Sequence, residues 1–324
     1  MAVLNSETMV TTNLVTTGMT VNGTASTTSG MNALAEIISS PTPGEVSFTT
    51  PGTFAFIVPA GVTRISAVAI GAGASGGYTW ANSAGAGGAL AYANAIPVTP
   101  GQSISITVPP RISAQQTSAA SAVVGSFFSA QGGTHGATST RAAPVSGSVT
   151  ARGGSGGLCS TNGYGGGGGA GGYSGNGGDG SYGVTGSSSA NGGNGSGGAA
   201  AGGYGYQSST YSFGGGGGVD LFGTGLSGTN PSSMSEGNSW SYITSSNNGY
   251  GGKGGSGGEQ GSPNSNGTQT FYGRTTYHGE GGRYGGGGAG GGTSVSSTAQ
   301  FCSGAQGAVR IIWGPNRSFP NLAT

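Results

Sequence analysis

The chain has 324 residues, of which 77 are glycine and 13 proline, together 90 of 324 or about 28%; charged residues make up only 5% and the formal net charge is +1. With Lys253 the only lysine and eight arginines scattered between Arg64 and Arg317, there is no electrostatic case for binding nucleic acid or an anionic membrane surface. No apolar run approaches the roughly 18 residues that a membrane span needs.

The N-terminal MAVLNSETMVTT has neither a basic region nor a long apolar stretch, so no signal peptide is expected. Residues 1–44 are threonine-rich, with sparse apolar positions at Met9, Leu14, Val15, Met19 and Val21. Asn22-Gly23 has the composition of a hairpin turn, and MNALAEII at 31–38 is the only helix-like segment. This zone buries too little to fold alone, and is expected to be an attachment or oligomerisation arm held by other copies or by a partner.

Residues 45–150 read as β. TFAFIV at 53–58 alternates, with Phe54, Phe56 and Val58 on one face, and Pro59-Ala60-Gly61 is a turn. Further strands are expected at 64–70 (RISAVAI), 88–98 (GALAYANAIPV) and 103–108 (SISITV), the last after a Pro100-Gly101 turn. VVGSFFSA at 123–130 and VSGSVTA at 145–151 are weaker candidates. Short strands at this spacing suggest a small antiparallel β-sandwich.

Residues 151–292 hold 55 glycines, in tracts at 153–157, 163–172, 175–180, 192–203, 214–218, 249–258 and 279–292. Ordinary strand sequence returns at 307–314, within 293–324, where AVRIIW puts Val309, Ile311 and Trp313 inward and Arg310 outward. This strand would complete the sandwich. Trp313, Phe54 and Phe56 are core candidates.

A run such as GGGGGAGG at 165–172 cannot hold an α-helix, each glycine costing about 0.8–1.0 kcal/mol relative to alanine. It has no side chains with which to bury a sheet face, yet its N–H and C=O groups need partners. Extended three-residue-per-turn rods, about 3.1 Å per residue and without internal hydrogen bonds, satisfy this by bonding to one another, because glycine lets backbones approach closely. The expected fold is thus mainly β, a sandwich carrying a polyglycine-II bundle as an insertion. Collagen does not fit, since there is no Gly-X-Y register. A calcium β-roll does not fit either, with Asp179 and Asp220 the only aspartates.

The segments between tracts differ in character. Residues 181–190 are small and polar. Residues 204–213 (YGYQSSTYSF) carry Tyr206, Tyr211 and Phe213; 219–248 carry Phe222, Trp240 and Tyr242; 259–278 carry Phe271, Tyr272, Arg274, Tyr277 and His278. Tyrosine and tryptophan among Ser, Asn and Gly make up the chemistry of recognition loops, against which stands packing of the same rings on the glycine rods.

PGTFAFIVPAGVTRISAVAIGAGASGG, GALAYANAIPVTPGQSISITV, FFSAQGG, the glycine tracts and the closing GAVRIIWGPNRSFPN together resemble the glycine-rich domain of bacteriophage tail and tail-fibre proteins, over residues 51–321. The tract-and-loop plan is also similar to the distal adhesin of T-even-type long tail fibres. The resemblance implies a virion protein of the tail or fibre, made in the host cytoplasm. Its tracts would be the scaffold, and 181–190, 204–213, 219–248 and 259–278 the receptor loops. The implied partners are a bacterial surface glycan or outer-membrane protein, other tail proteins through residues 1–44, and further copies of the chain. Residues 1–44 do not look like the fibre-attachment domain of those adhesins.

No catalytic constellation is expected. His135 and His278 are the only histidines, no HxxxH or CxxC spacing occurs, and Gly-rich strings resembling phosphate loops lack a strand–loop–helix context. Neither cofactor nor metal is expected. Glu280, with His278 and Arg283 nearby, reads as an exposed loop-end charge cluster; Cys159 and Cys302, one before and one after the glycine tracts, could pair, against which stands the reading as two free buried thiols. Two further readings compete with the adhesin: a structural virion protein whose glycine domain serves assembly, and, more remotely, an ice-binding bundle.

Overall fold

In the computed structural model the described residues are 41–76, 84–112, 118–135, 141–154, 156–157, 165–181, 192–197, 199–203, 214–229, 252, 254–256, 258–259, 280–289 and 302–320, together with the backbone of seven two- or three-residue strands. Residues 1–42 and 43–324 are separate compact units. In the first, Thr20–Val21 pairs antiparallel with Thr24–Ala25, on either side of Asn22-Gly23. The helix-like 31–38 lies outside the described residues, and no helix occurs among those described.

In the second unit, nine of the described strands build the sandwich: β1 (Gly44–Phe48), β2 (Gly52–Ile57), β3 (Arg64–Ile70), β4 (Leu90–Pro97), β5 (Ser103–Val108), β6 (Ala122–Val124), β7 (Phe128–Ala130), β8 (Pro144–Ser146) and β9 (Ala308–Trp313). They build two antiparallel sheets, ordered β8-β7-β6-β5-β2 and β1-β9-β3-β4. The run 123–130 is not one strand but a hairpin, β6 and β7, turned at Gly125 with φ +50°, a value that glycine adopts without strain. The closing strand β9 lies inside its sheet, pairing Ile311 with Val46 of β1 and with Ala67 of β3.

Between the sheets, Phe56, Ile104, Ile106, Val124 and Phe128 pack against Ile65, Ala67, Ala69, Val309 and Ile311. Phe54 and Trp313 flank this core partly buried, Trp313 tilted against Phe56 with ring centroids 5.8 Å apart. Burying each of the Phe, Ile and Val side chains inside this core contributes about 1.5–3 kcal/mol.

The glycine tracts are continuous with the strands. β3 runs into 71–76, β7 into 131–135, 84–89 into β4, and 302–307 into β9. Their hydrogen bonding has a period of three residues. In the tract 165–172, the N–H groups of Gly166, Gly169 and Gly172 donate to Ser181, Gly178 and Gly175; those of Gly167 and Ala170 to Gly214 and Gly217; those of Gly168 and Gly171 to Gly85 and Gly88. Its carbonyls accept from Gly203 and Ala200, from Gly157 and from Gly287. One tract is therefore bonded to six neighbours. The tract 84–89, with Leu90, repeats the pattern, its donors going in threefold rotation to 285–288, 131–134 and 154–157. A β-strand would return to the same neighbour every second residue; here the return comes every third.

Such spacing leaves no room for side chains where tracts meet. A Cβ on Gly169 would land on the carbonyl of Ala200, and one on Gly87 on the carbonyl of Gly169. The neighbouring Ala170 instead turns its methyl into a second apolar layer, on the far face of β1-β9-β3-β4. There Val68, Ile70, Leu90, Tyr92, Ala308 and Ile312 of the sheet meet Tyr173, Ala200, Val219, Leu221 and Phe319. Both faces of this sheet are thus covered, which is why RISAVAI is buried from Ile65 to Ile70.

Two sequence expectations are corrected. Arg310 does point away from the sandwich core, as alternation demands, but the face it meets is covered by residues 219–222, leaving it 3% exposed. Glu280 is not in an exposed cluster: it is 1% exposed and paired with Arg111, because it opens a tract inside the bundle, whereas Arg283 faces Glu259 at 4.0 Å. Cys302 is a free thiol, and burial pushes it up to about 12.

Gly169→Ala is expected to destabilise the protein by about 3 kcal/mol, at the upper end of overpacking costs, whereas Ala170→Gly should cost only about 1 kcal/mol. Denaturant midpoints of the two variants check this; equal, small shifts would contradict the close approach.

Candidate functional site

Tract direction sorts the connecting segments. The tract 84–89 runs toward the sandwich because β4 follows it. The tract 165–172 is parallel to it, as the bonds Gly168 to Gly85 and Gly171 to Gly88 require. The tract 214–218 is likewise parallel, and 175–181 and 199–203 are antiparallel. As a result Ser181, Gly203 and Gly214 all lie beside Gly166 and Gly167, at the end remote from the sandwich. These are the described residues that flank 182–190 and 204–213. The two segments are joined as backbone in a three-stranded sheet, Ser189–Ala190, Gly205–Tyr206 and Ser212–Phe213, in which Tyr206 pairs with Ser189 and Ser212, and Phe213 with Gly205. The described residues that flank two of the expected display segments therefore share the end remote from the sandwich.

Of the other expected site residues, Phe271 and Arg274 pair across a short antiparallel hairpin, Gln269–Phe271 with Arg274–Thr276. Tyr211, Trp240, Tyr242, Tyr272 and Tyr277 lie outside the described residues.

Phe222 is elsewhere, on the sandwich side. The tract 214–218 ends with Val219, whose backbone exchanges bonds with Tyr284 at 3.1 and 3.2 Å. Leu221 then anchors in the second apolar layer. The Tyr173 hydroxyl donates to Asp220 O and accepts from Gly223 N, both at 3.2 Å, so one buried phenol clamps the backbone on either side of Phe222. Burial raises the Tyr173 hydroxyl well above its ordinary value, and the donor is retained at any physiological pH. Burial likewise raises the Asp220 carboxyl, opposed by the Leu221 N–H it accepts from.

Below the ring, the Arg310 guanidinium lies 4.3 Å from its centroid, held by Glu45 at 2.7 Å and Leu221 O at 3.3 Å. Glu45 also pairs with Arg317, and the two arginines, Arg317 first, hold its carboxyl below the ordinary range. The outer side of the loop is stapled by Thr224 N to Pro320 O, Gly225 N to Ser256 Oγ, and Ser256 N to Leu226 O. On this fixed backbone Phe222 is 60% and Leu226 90% exposed. Leu226 escaped the sequence reading because a lone leucine among Gly, Thr and Ser carries no recognition signature. Tyr173 was a legible signal, as an aromatic residue between two glycine tracts.

The arrangement is suited to holding and presenting side chains, and among the described residues no group of three or more His, Cys, Asp or Glu could hold a metal ion. His135 is half-buried, its Nδ1 3.0 Å from Ser75 O, and burial lowers its pKa. No helix among the described residues is long and apolar enough to cross a membrane.

Phe222→Ala is expected to cost less than about 1 kcal/mol, the worth of an exposed cation–π contact. Arg310→Ala should cost about 2 kcal/mol, since it strips the buried Leu221 carbonyl of a charge-assisted bond and empties a buried position. Thermal unfolding of both variants tests this, and a reversed order would show that the ring supports the fold rather than being carried by it. A comparison with protein-family models finds none that matches the chain, and a search of curated proteins finds no relative.

Proposed function

We propose that this chain is a bacteriophage virion protein of the tail or fibre that attaches the particle to the bacterial surface, with no catalytic role. In this reading the tracts are polyglycine-II rods, inserted in a β-sandwich, and the segments between them are receptor loops. The three-residue period of the inter-tract bonds supports the rods. The observation that carries the attachment reading is the convergence of Ser181, Gly203 and Gly214 at one end, where the hydroxyl- and tyrosine-rich segments 182–190 and 204–213 join in one small sheet. A rigid base under aromatic and hydroxyl side chains lowers the ordering cost of binding. The receptor would be a surface glycan or an outer-membrane protein. Residues 1–44 would join the chain to other tail proteins or to further copies.

A second reading, a structural virion protein with an assembly role, draws on Phe222 and Leu226. These exposed apolar residues sit beside the sandwich, away from that end, where a neighbouring virion subunit could cover them.

Replacing 204–213 by a Gly/Ser linker of equal length is expected to abolish adsorption of particles to host cells without lowering the unfolding midpoint by more than a few degrees. Undiminished adsorption would remove the attachment reading. Adsorption lost equally in Phe222→Ser/Leu226→Ser particles that also fail to assemble would favour the structural one.

A further inference from the structure

The sandwich has a second site of a different kind, at the end remote from the glycine tracts. Across β3 and β4, Ile65 pairs with Ile96 and Ala67 with Ala93, so Ser66 alone faces two residues, Asn94 and Ala95. This is a β-bulge, a device that re-aims side chains and interrupts pairing. Ala95 takes φ +52°, and across the gap the chain after β9 turns through Gly314 at φ +115° and Asn316 at φ +58°. Two non-glycine residues in the left-handed region within one small area mark a backbone held in place by its surroundings, a condition that concentrates at ligand sites. What holds it is a set of side-chain bonds. Ser66 Oγ accepts from Ala95 N at 3.4 Å and donates to Arg317 O at 3.3 Å. The Asn94 amide brackets Phe319, donating to its carbonyl at 2.6 Å and accepting from its N–H at 2.8 Å.

These irregularities open a cavity of about 260 Å³, whose lining includes Arg64, Ser66, Asn94, Asn316, Arg317 and Ser318. No acidic side chain lines it. Arg317 is tied to Gly44 O and Glu45, and Glu45 is already shared with Arg310, so the rim is left with excess positive charge. Arg64, which also lines the cavity, is exposed, and its Nη1 donates to Ala95 O at 3.3 Å.

We propose that this cavity binds a carboxylate-bearing sugar, a uronic acid unit of a surface polysaccharide. The carboxylate takes the Nε–Nη2 edge of Arg64, a planar donor pair matched to a planar acceptor pair. Ser318 and Asn316, both exposed, meet ring hydroxyls. The volume is slightly below the range for whole ligands, roughly 300–1,000 Å³, and so suits one ring of a longer chain; it is more than an acidic side chain of a peptide would fill. The site is independent of the loops between the tracts and of any role assigned to them.

The test is saturation-transfer NMR on the full-length protein with D-glucuronic acid, with glucose, acetate and triglutamate as comparators. Saturable transfer from glucuronate is expected, together with at least about tenfold weaker binding in Arg64→Ala and a similar loss in Arg64→Lys, which keeps the charge but not the fork. The variant with 204–213 replaced should bind glucuronate like the parent, which separates this site from the attachment reading. Absence of saturable transfer, or transfer unchanged in a folded Arg64→Ala, would overturn the assignment. Glucose binding as tightly would overturn the role of the carboxylate, acetate binding as tightly that of the ring. Tighter triglutamate binding would make the cavity a socket for an acidic protein segment instead.

Discussion

The whole second unit depends on backbone groups that must find partners without any side chain to shield or guide them. A glycine tract offers one donor and one acceptor per residue and nothing else. A bonding pattern that repeats every third residue sends successive N–H groups to different neighbours, as in tract 165–172 toward 175–181, 214–218 and 84–89. Stability then comes from a lattice of amides. Each bond is worth only about 1 kcal/mol net, and each ordered residue costs about 1–2 kcal/mol of backbone entropy, so no tract could persist alone. Cooperation among neighbours is built into the geometry.

That lattice needs a boundary that fixes where each tract begins, and the four-stranded sheet provides it. β3, β4 and β9 enter or leave the lattice without an intervening turn, so the pleated ladder sets the register from which the three-residue period proceeds. The apolar layer of Tyr92, Tyr173 and Phe319, with Tyr173 and Phe319 stacked at 6.1 Å, joins the two kinds of backbone where neither has enough side chains of its own. Arg310 is admitted to this layer because Glu45, Leu221 O and the Phe222 ring together accept its charge.

Much of this was legible in the sequence. The alternation of TFAFIV and SISITV gave paired strands, with Phe56 and Ile104 opposite one another, and AVRIIW gave the closing strand. The glycine tracts could be read as bonding sideways because no other secondary structure can use them. Harder to read was the share taken by short Ala/Gly stretches, 71–76, 84–89 and 302–307, which look like strand ends but donate and accept with the long tracts. Their alanines hide the pattern, since a methyl is tolerated where a position turns into a small apolar cluster, as Ala72 and Ala74 do with Ile112 and Ala119, rather than toward a neighbouring carbonyl. Arg310 and Glu280 were misplaced for a related reason: a charge in a sequence carries no mark of what a distant segment will lay over it. The bulge at Ser66 left no trace either, because neither RISAVAI nor LAYANAIP carries a glycine to mark an irregular position.

The threefold bonding pattern has a consequence for how such a chain can change length. Removing or adding one residue inside a tract would rotate every later amide toward the wrong neighbour, whereas a change of three restores the pattern one turn further along. Segments outside the lattice carry no such quantum. Descendants of this sequence should therefore diversify freely between tracts while the tracts themselves grow and shrink in whole turns, a scaffold that lets its loops drift and keeps its own arithmetic.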